Sequence, residues 1–405
     1  MARTRISLKR FHAARSTQHV WIIGALIVAG LLVWLLWPKA PEPLRANLVA
    51  AAASADVSGF ARAEGPRLLS FPADHGPHND FQTEWWYYTG NLTAETGEHF
   101  GYQLTFFRRA LTPPDQRPVR DSAWAADQVY MAHLALTDVS SGRHFSFEKL
   151  ARGTAGLAGA QAEPFRVWLE DWSVAGPSAG QTRLRAAAND PTSGLNLSLE
   201  LNLADLKGPI LQGDRGYSRK GPEPGNASYY VSLPRIATEG TATVNSRTFT
   251  VDGLSWMDHE WSTSALGSEQ VGWDWFSIQL DDNTELMLFE LRRADGSVDG
   301  FSSGTLVAAD GSTRTLGPGD FSIEVTDRWR SPRTGAEYPA GWNLSIPSAD
   351  LRLKITPWLA DQEMAVSYTY WEGAAKADGT RNGQQVAGSG YVELTGYAGS
   401  VQGQF

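Results

Sequence analysis

The stretch Trp85-Trp86-Tyr87-Tyr88-Thr89-Gly90-Asn91-Leu92 is followed by a polar turn and then by Tyr102-Gln103-Leu104-Thr105-Phe106-Phe107-Arg108-Arg109. Two aromatic runs joined by a short polar turn read as a β-hairpin. The unit recurs as Trp273-Asp274-Trp275-Phe276-Ser277-Ile278-Gln279-Leu280, a turn, and Leu286-Met287-Leu288-Phe289-Glu290-Leu291-Arg292-Arg293. Both copies end in Arg-Arg. A weaker match pairs Ser228-Tyr229-Tyr230 through Met257 with Thr369-Tyr370-Trp371 through Tyr397. Each copy therefore runs from an aromatic opening hairpin to an aromatic closing strand, one structural unit used twice. The repeat places domains at residues 71–252 and 253–405. That size suits antiparallel barrels, whose lumens can hold an apolar ligand.

The remaining sequence is also β in character. Leu195-Asn196-Leu197-Ser198-Leu199-Glu200-Leu201-Asn202-Leu203 alternates apolar and polar residues throughout, the pattern of a half-buried strand. Turn signals recur at Asp282-Asn283, Asp295-Gly296, Asp310-Gly311 and Asp378-Gly379. Few windows hold a helical period, so the fold class is all-β, two tandem antiparallel barrels.

The N-terminus differs. Arg3, Arg5, Lys9, Arg10 and Arg15 lie in residues 1–19 with no acid, and residues 20–37 carry no charge. As a helix, residues 20–37 would span about 27 Å, close to a bilayer core. Trp21, Trp34 and Trp37 sit near its ends, where indoles favour the membrane interface. The basic flank should remain cytoplasmic. The expectation is a single-pass inner-membrane anchor with everything after Pro38 in the periplasm. A signal peptide has a shorter apolar core and a small-residue cleavage site; here Pro41 follows the nearest small residue, Ala40. Residues 38–70, rich in Pro and Ala, read as a flexible tether.

The net charge of the 405 residues is −9; with +5 in residues 1–37, the remainder carries −14. No basic excess is available to displace counterions from phosphates, so nucleic acid is excluded as a partner. Cysteine is absent, which removes disulfides, thiol nucleophiles and thiolate metal sites.

The densest grouping of chemical side chains is Trp256-Met257-Asp258-His259-Glu260-Trp261. On a strand, Asp258 and Glu260 face one side and His259 and Trp261 the other. A carboxyl poorly solvated between indoles has a raised pKa and keeps its proton available for general-acid work. The plainer reading is a domain junction whose indoles fill core and whose charges pair. Trp273-Asp274-Trp275 repeats the acid-between-indoles motif. His75 and His78 flank a Gly-Pro loop rather than a helical turn, and no His-Glu-x-x-His occurs, so no metal and no cofactor are expected. His133 lies on an apolar strand, where a hydrogen-bonded core histidine is the simpler reading. No Gly-x-Ser-x-Gly elbow accompanies Ser264 or Ser277, which leaves a hydrolase without a nucleophile motif.

At these residues the sequence resembles the AttH/carotenoid 1,2-hydratase-like proteins. The carriers are Gln82-Thr83-Glu84-Trp85-Trp86-Tyr87-Tyr88-Thr89-Gly90-Asn91-Leu92, Trp256-Met257-Asp258-His259-Glu260-Trp261 and Gly272-Trp273-Asp274-Trp275-Phe276. Ser331-Pro332-Arg333-Thr334-Gly335, Tyr338-Pro339, Trp342 and the closing Gly390-Tyr391-Val392-Glu393-Leu394-Thr395-Gly396-Tyr397 extend the likeness over about residues 71–400. The resemblance implies two lipocalin-like domains in tandem. Its members include hydratases of acyclic carotenoid ends, predicted secreted hydrolases and an AttH component of an ABC transport system, and relatives act as pericyclases. A cage for apolar molecules is the shared element.

Family hydratases use an Asp together with a His and a Trp two residues apart. His259 and Trp261 match that spacing, and the Asp maps to Asp274 or to Asp258. The wording of the motifs is nearer the AttH branch than the pigment-pathway hydratases. The expectation is a protein that binds an apolar, isoprenoid or lipid molecule and hydrates or isomerises it. Asp274 or Asp258 would be the acid, and His259 would orient water or relay a proton. Trp261, Trp273 and Trp275 would form a wall that stabilises a cation, with Trp256 beside it. Glu84, Trp85, Trp86 and Tyr88 would share the cleft. The alternative is a non-catalytic carrier, or an accessory partner of an ABC permease held beside it by the anchor.

Overall fold

In the computed structural model, residues 57–117, 122, 125–190, 193–263 and 266–400 are described. The expected anchor and most of the tether lie outside them. No helix among the described residues is long and apolar enough to cross a membrane.

The expected strands form two large antiparallel sheets. The first contains β1 (Thr83–Ala94), β2 (His99–Ala110), β3 (Gln128–Asp138), β4 (Arg143–Arg152), β5 (Ala158–Gln161), β6 (Phe165–Leu169) and β7 (Trp172–Ser178). It continues through β8 (Gln181–Asp190), β9 (Leu195–Asp205), β10 (Ile210–Leu211), β11 (Tyr217–Arg219), β12 (Ala227–Val244) and β13 (Arg247–Ser262). The second contains β14 (Gln270–Leu280), β15 (Glu285–Arg293), β16 (Ser303–Val307), β17 (Thr313–Leu316), β18 (Ser322–Arg330), β19 (Glu337–Ile346), β20 (Leu351–Pro357), β21 (Glu363–Ala365), β22 (Thr369–Arg381) and β23 (Gln384–Leu394).

The strand orders are β4-β3-β2-β1-β13-β12-β9-β8-β7-β6-β5 and β17-β16-β15-β14-β23-β22-β20-β19-β18. In both, the opening hairpin pairs with the last strand, so the repeat in the sequence is a repeat in topology. Both sheets curl into barrel-like shapes, one nearly closed and the other a half-barrel. The opening hairpins turn at Gly97 (φ +94°) and Asn283 (φ +63°). These are the left-handed positions that such turns demand and that Gly and Asn accept.

Each sheet buries its own inner face. Trp86, Tyr88, Leu104, Phe106 and Met257 join the leucines of β9 in one core. Phe276, Leu288, Trp342, Trp371 and Val392 join a second. A third cluster lies between the sheets: Tyr87, Tyr230 and Trp256 from the first meet Trp275, Phe289, Leu291 and Tyr391 from the second. The polar fastenings also cross. Glu285 on β15 receives Arg235 of β12 and Lys207 Nζ, the latter at 2.6 Å. The Gln279 amide donates to the Pro234 and Ser255 carbonyls at 2.8 and 2.9 Å.

Two boundaries differ from the sequence reading. Strand β13 runs through 252/253 and belongs wholly to the first sheet, because it must pair with β1; the change of sheet comes between Ser262 and Gln270. Both sheets fall within one contact unit. Residues 57–70, expected in the tether, are packed: Phe60, Ala63 and Leu69 are buried, the last two against Phe81, Tyr229 and Trp261.

Candidate active site

Alternation along β1 and β13 sorts the motif residues onto two faces. The register sets Trp86 opposite His259 and Tyr87 opposite Asp258. Glu84, Trp86, Tyr88, His259 and Trp261 turn toward the inner face of the first sheet. Trp85, Tyr87, Trp256, Asp258 and Glu260 turn toward the second sheet.

The inner group is a closed ion-pair network. Glu84 is fully buried and accepts Arg108 Nε, His78 Nδ1 and His259 Nε2, each at 2.8 Å. It also accepts the His78 backbone N–H. Burial opposes the charge of Glu84, but Arg108 and the two histidines hold its carboxyl well below the usual range. Burial also opposes the charge of His78, and its bonds to Asp74 and Glu84 overcome this and raise its pKa. The ring of His78 stacks on Trp261 at 3.7 Å and 5°. His259, whose pKa burial lowers despite Glu84, stacks on Trp86 at 4.8 Å. Neutral His259 donates from Nε2 to Glu84, so its Nδ1 is the bare acceptor, buried without a partner.

His78, Glu84 and His259 have donor atoms within 4.8 Å of one another, the metal-ligand grouping found among the described residues. Arg108 already matches Glu84, and both ring nitrogens of His78 face carboxylates. The Arg108 guanidinium and the His78 imidazolium are therefore the cations that face the carboxylates of this site.

Trp85, Tyr87, Asp258 and Glu260 of the outer group line a partly enclosed cavity of about 100 Å³ between the sheets. Its apolar wall includes Trp85, Phe107, Trp273, Trp275, Phe289 and Leu291. Four carboxyls enter it: Asp258 and Glu260 from β13, Glu372 from β22 and Glu393 from β23. Asp258 accepts the Tyr230 hydroxyl at 2.6 Å, the Ser232 hydroxyl at 2.5 Å and the Trp256 indole at 2.7 Å. Tyr230 in turn accepts the Trp275 indole at 2.9 Å. Burial raises Asp258 to about 7 against those three donors.

Glu260 accepts Ser228 and pairs with Lys220 Nζ at 3.1 Å. Glu372 and Glu393 stand directly opposite on adjacent strands. Glu372 accepts the Tyr87 hydroxyl at 2.8 Å. Burial, reinforced by Glu393, pushes Glu372 well above the carboxylate range. Burial raises Glu393 to about 8, with Trp273 opposing and Asp258 adding to the rise.

The sequence-derived candidates therefore separate. Asp258, Trp85, Trp273 and Trp275 meet around the cavity, and Trp256 packs beside it, donating to Asp258. Glu84, Trp86, Tyr88, His259 and Trp261 do not, because strand pleating turns them inward. Asp274 is on the opposite face of β14 from Trp273 and Trp275, held by Arg292 Nε at 2.8 Å and the Tyr397 hydroxyl at 2.9 Å. Burial raises its pKa although Arg292 opposes this. Ser264 lies outside the described residues. Ser277 is on the second sheet, whereas His259 is committed to Glu84.

Sequence reasoning passed over Tyr87, Lys220, Tyr230, Glu372 and Glu393 as site residues. Tyr370-Trp371-Glu372 and Tyr391-Val392-Glu393 carry the same signal as Asp258, an acid inside an aromatic strand.

Fold and site together define a class: a tandem lipocalin-like β protein with an acid-bearing aromatic cavity between its two sheets. The chain belongs to the AttH-like family, whose model matches residues 62–397. The solved AttH protein of Nitrosomonas europaea is 38% identical, with a TM-score of 0.73 over 84% of this chain and 100% of that one. Kievitone hydratase of Nectria haematococca shares the fold at 16% identity, with a TM-score of 0.60 over 85% of this chain and 97% of its own. The dehydratase asqC of Emericella nidulans is 22% identical over 224 residues, 53% of this chain. The match spans 61% of the length of that curated relative.

Proposed function

We propose that the cavity between the sheets adds water to, or removes it from, an apolar molecule with an alkene end. The observation that carries this reading is the set of raised carboxyls inside an aromatic wall. Water addition starts by protonating carbon, which needs a carboxylic acid that still holds its proton near neutral pH. Glu393 has that character. Its O–H bond breaks, a C–H bond forms on the less substituted alkene carbon, and the positive charge moves to the neighbouring carbon. Trp85, Trp273 and Trp275 line the cavity, and indoles stabilise positive charge of this kind.

Asp258 is the complementary base. Three donors favour its ionised form, so it accepts the proton of the attacking water as the C–O bond forms. The two carboxyls then exchange one proton through water or Tyr230, and the site is reset. Dehydration is the same sequence reversed. The hydratase and dehydratase names of two relatives support this chemistry. A cavity of about 100 Å³ is smaller than one that holds benzene, so it suits a branched chain end, with the rest of the molecule leading out.

Membrane tethering and a periplasmic site belong to the same proposal and rest on residues 1–37 alone. A carrier for an apolar molecule, or an accessory partner of an ABC permease, uses the same aromatic wall without turnover. Glu393→Gln separates the readings: it keeps a ligand-shaped cavity and removes the transferable proton. Lost turnover with retained binding supports the enzyme. Unchanged ligand handling with no turnover in the parent protein supports the carrier.

A further inference from the structure

We infer that the cavity between the sheets is a cage for a positively charged head group on an apolar molecule, such as a substituted ammonium. The inference rests on the proposed role of this cavity as the ligand site. Its lining carries four carboxyls against one cation, Lys220; an ammonium among them would favour the ionised forms of Glu372 and Glu393, which burial otherwise keeps protonated. Lys220 is already committed to Glu260. Among the described residues, no basic side chain pairs with Asp258, Glu372 or Glu393.

Lys220 also shows how the wall receives a cation. Its Nζ lies 4.1 Å from the Phe289 ring centre and 5.2 Å from that of Tyr230. One ammonium is therefore already held by a carboxylate and two ring faces. Glu372 and Glu393, opposite each other on β22 and β23, offer a second such place facing Trp85 and Trp273. An ammonium surrounded by aromatic faces and unpaired carboxyls gains from both, more than either would supply in water. A trimethylammonium head also has the branched shape of the tertiary cation that alkene protonation would form. A stable cation of this kind would thus occupy the site as a mimic of that intermediate.

The probes are benzyltrimethylammonium, its uncharged carbon isostere neopentylbenzene, and the anion phenylmethanesulfonate. Binding is measured on the full-length protein at pH 8 by tryptophan fluorescence and calorimetry. The ammonium is expected to bind at least about tenfold tighter than the isostere, and the anion weakest. In Glu372→Gln and Glu393→Gln, that preference should fall several-fold while affinity for the isostere stays the same, which also certifies the cavity. Equal or weaker binding of the ammonium, or a preference untouched by both substitutions, overturns the inference. If the isostere alone binds, the hydration reading survives and this inference falls. If the ammonium preference holds but Glu393→Gln leaves turnover intact, the acid assignment falls and the cage remains.

Discussion

Glu393 and Asp258 are both buried carboxyls in one cavity, yet their surroundings divide their work. Asp258 has three donors and Glu393 has Trp273. Replacing Glu393 with Gln should cut turnover by about 10²–10⁴-fold, the usual weight of a positioned general acid, and steady-state kinetics will read it. Burial raises Asp258 to about 7 and Glu393 to about 8. Hydration needs the acid protonated and the base ionised, so kcat/KM should be bell-shaped with its maximum between those values. Activity that keeps rising to pH 9 would remove Glu393 from the acid role. At this scale the sequence was half legible. The acid-between-indoles signal pointed to Asp258, which lines the cavity, and equally to Asp274, which the structure turns onto the opposite face of β14. Glu372 and Glu393 were overlooked because they reach Asp258 only through pairing of strands distant in the chain.

Strand β13 shows why neighbouring motif residues have different duties. Its Asp258 and Glu260 serve the cavity, while His259 and Trp261 complete the network around Glu84. That network holds structure together. Replacing Glu84 with Gln would leave Arg108 buried beside an uncharged amide, together with the His78 imidazolium. The loss should be about 3–5 kcal/mol, the usual result of breaking a buried pair from one side. Denaturant unfolding measures it. A loss under about 1 kcal/mol, the range of a surface pair, would show that Glu84 is not the centre of the network. Elements were the most legible level. Aromatic hairpins, the alternating β9 and the turns at Asp282-Asn283, Asp295-Gly296 and Asp310-Gly311 are local patterns, and the strands follow them; Asp378-Gly379, expected as a turn, instead lies inside β22, which turns at Asn382-Gly383. The boundary at 252/253 was not legible, since β13 is claimed by β1 through pairing. Residues 57–70 were misread because low complexity hid the few apolar side chains that dock.

At the scale of the whole molecule, the cavity proposed to carry the chemistry lies between two similar sheets, not inside either barrel. The repeat in the sequence announced two units; where they meet depended on outward-facing residues that looked like ordinary half-buried strand positions. Housing unpaired acids there costs stability in a specific pH window. Burial raises Asp258 to about 7 and Glu393 to about 8, against 3.8 and 4.5 for free Asp and Glu. The folded state therefore binds more protons than the unfolded chain, and stability falls as pH rises through those values. His78, also raised, acts in the same direction. Buried neutral histidines such as His75 and His99, lowered to about 4, oppose this only below their free value of 6.5. The melting temperature should drop between pH 6.5 and 8.5, and the drop should shrink in Glu393→Gln. A flat profile would mean that these carboxyls ionise freely.

The central claim is that this cavity moves water on and off an apolar molecule. It is tested by extracting the apolar compound that accompanies the natively produced protein and returning it to the protein in water labelled with heavy oxygen. Mass spectrometry should show a pair of species differing by one water, the heavier carrying label with the parent protein and none with Glu393→Gln. A compound that binds to the parent protein yet yields neither pair nor label would contradict the account and leave a carrier.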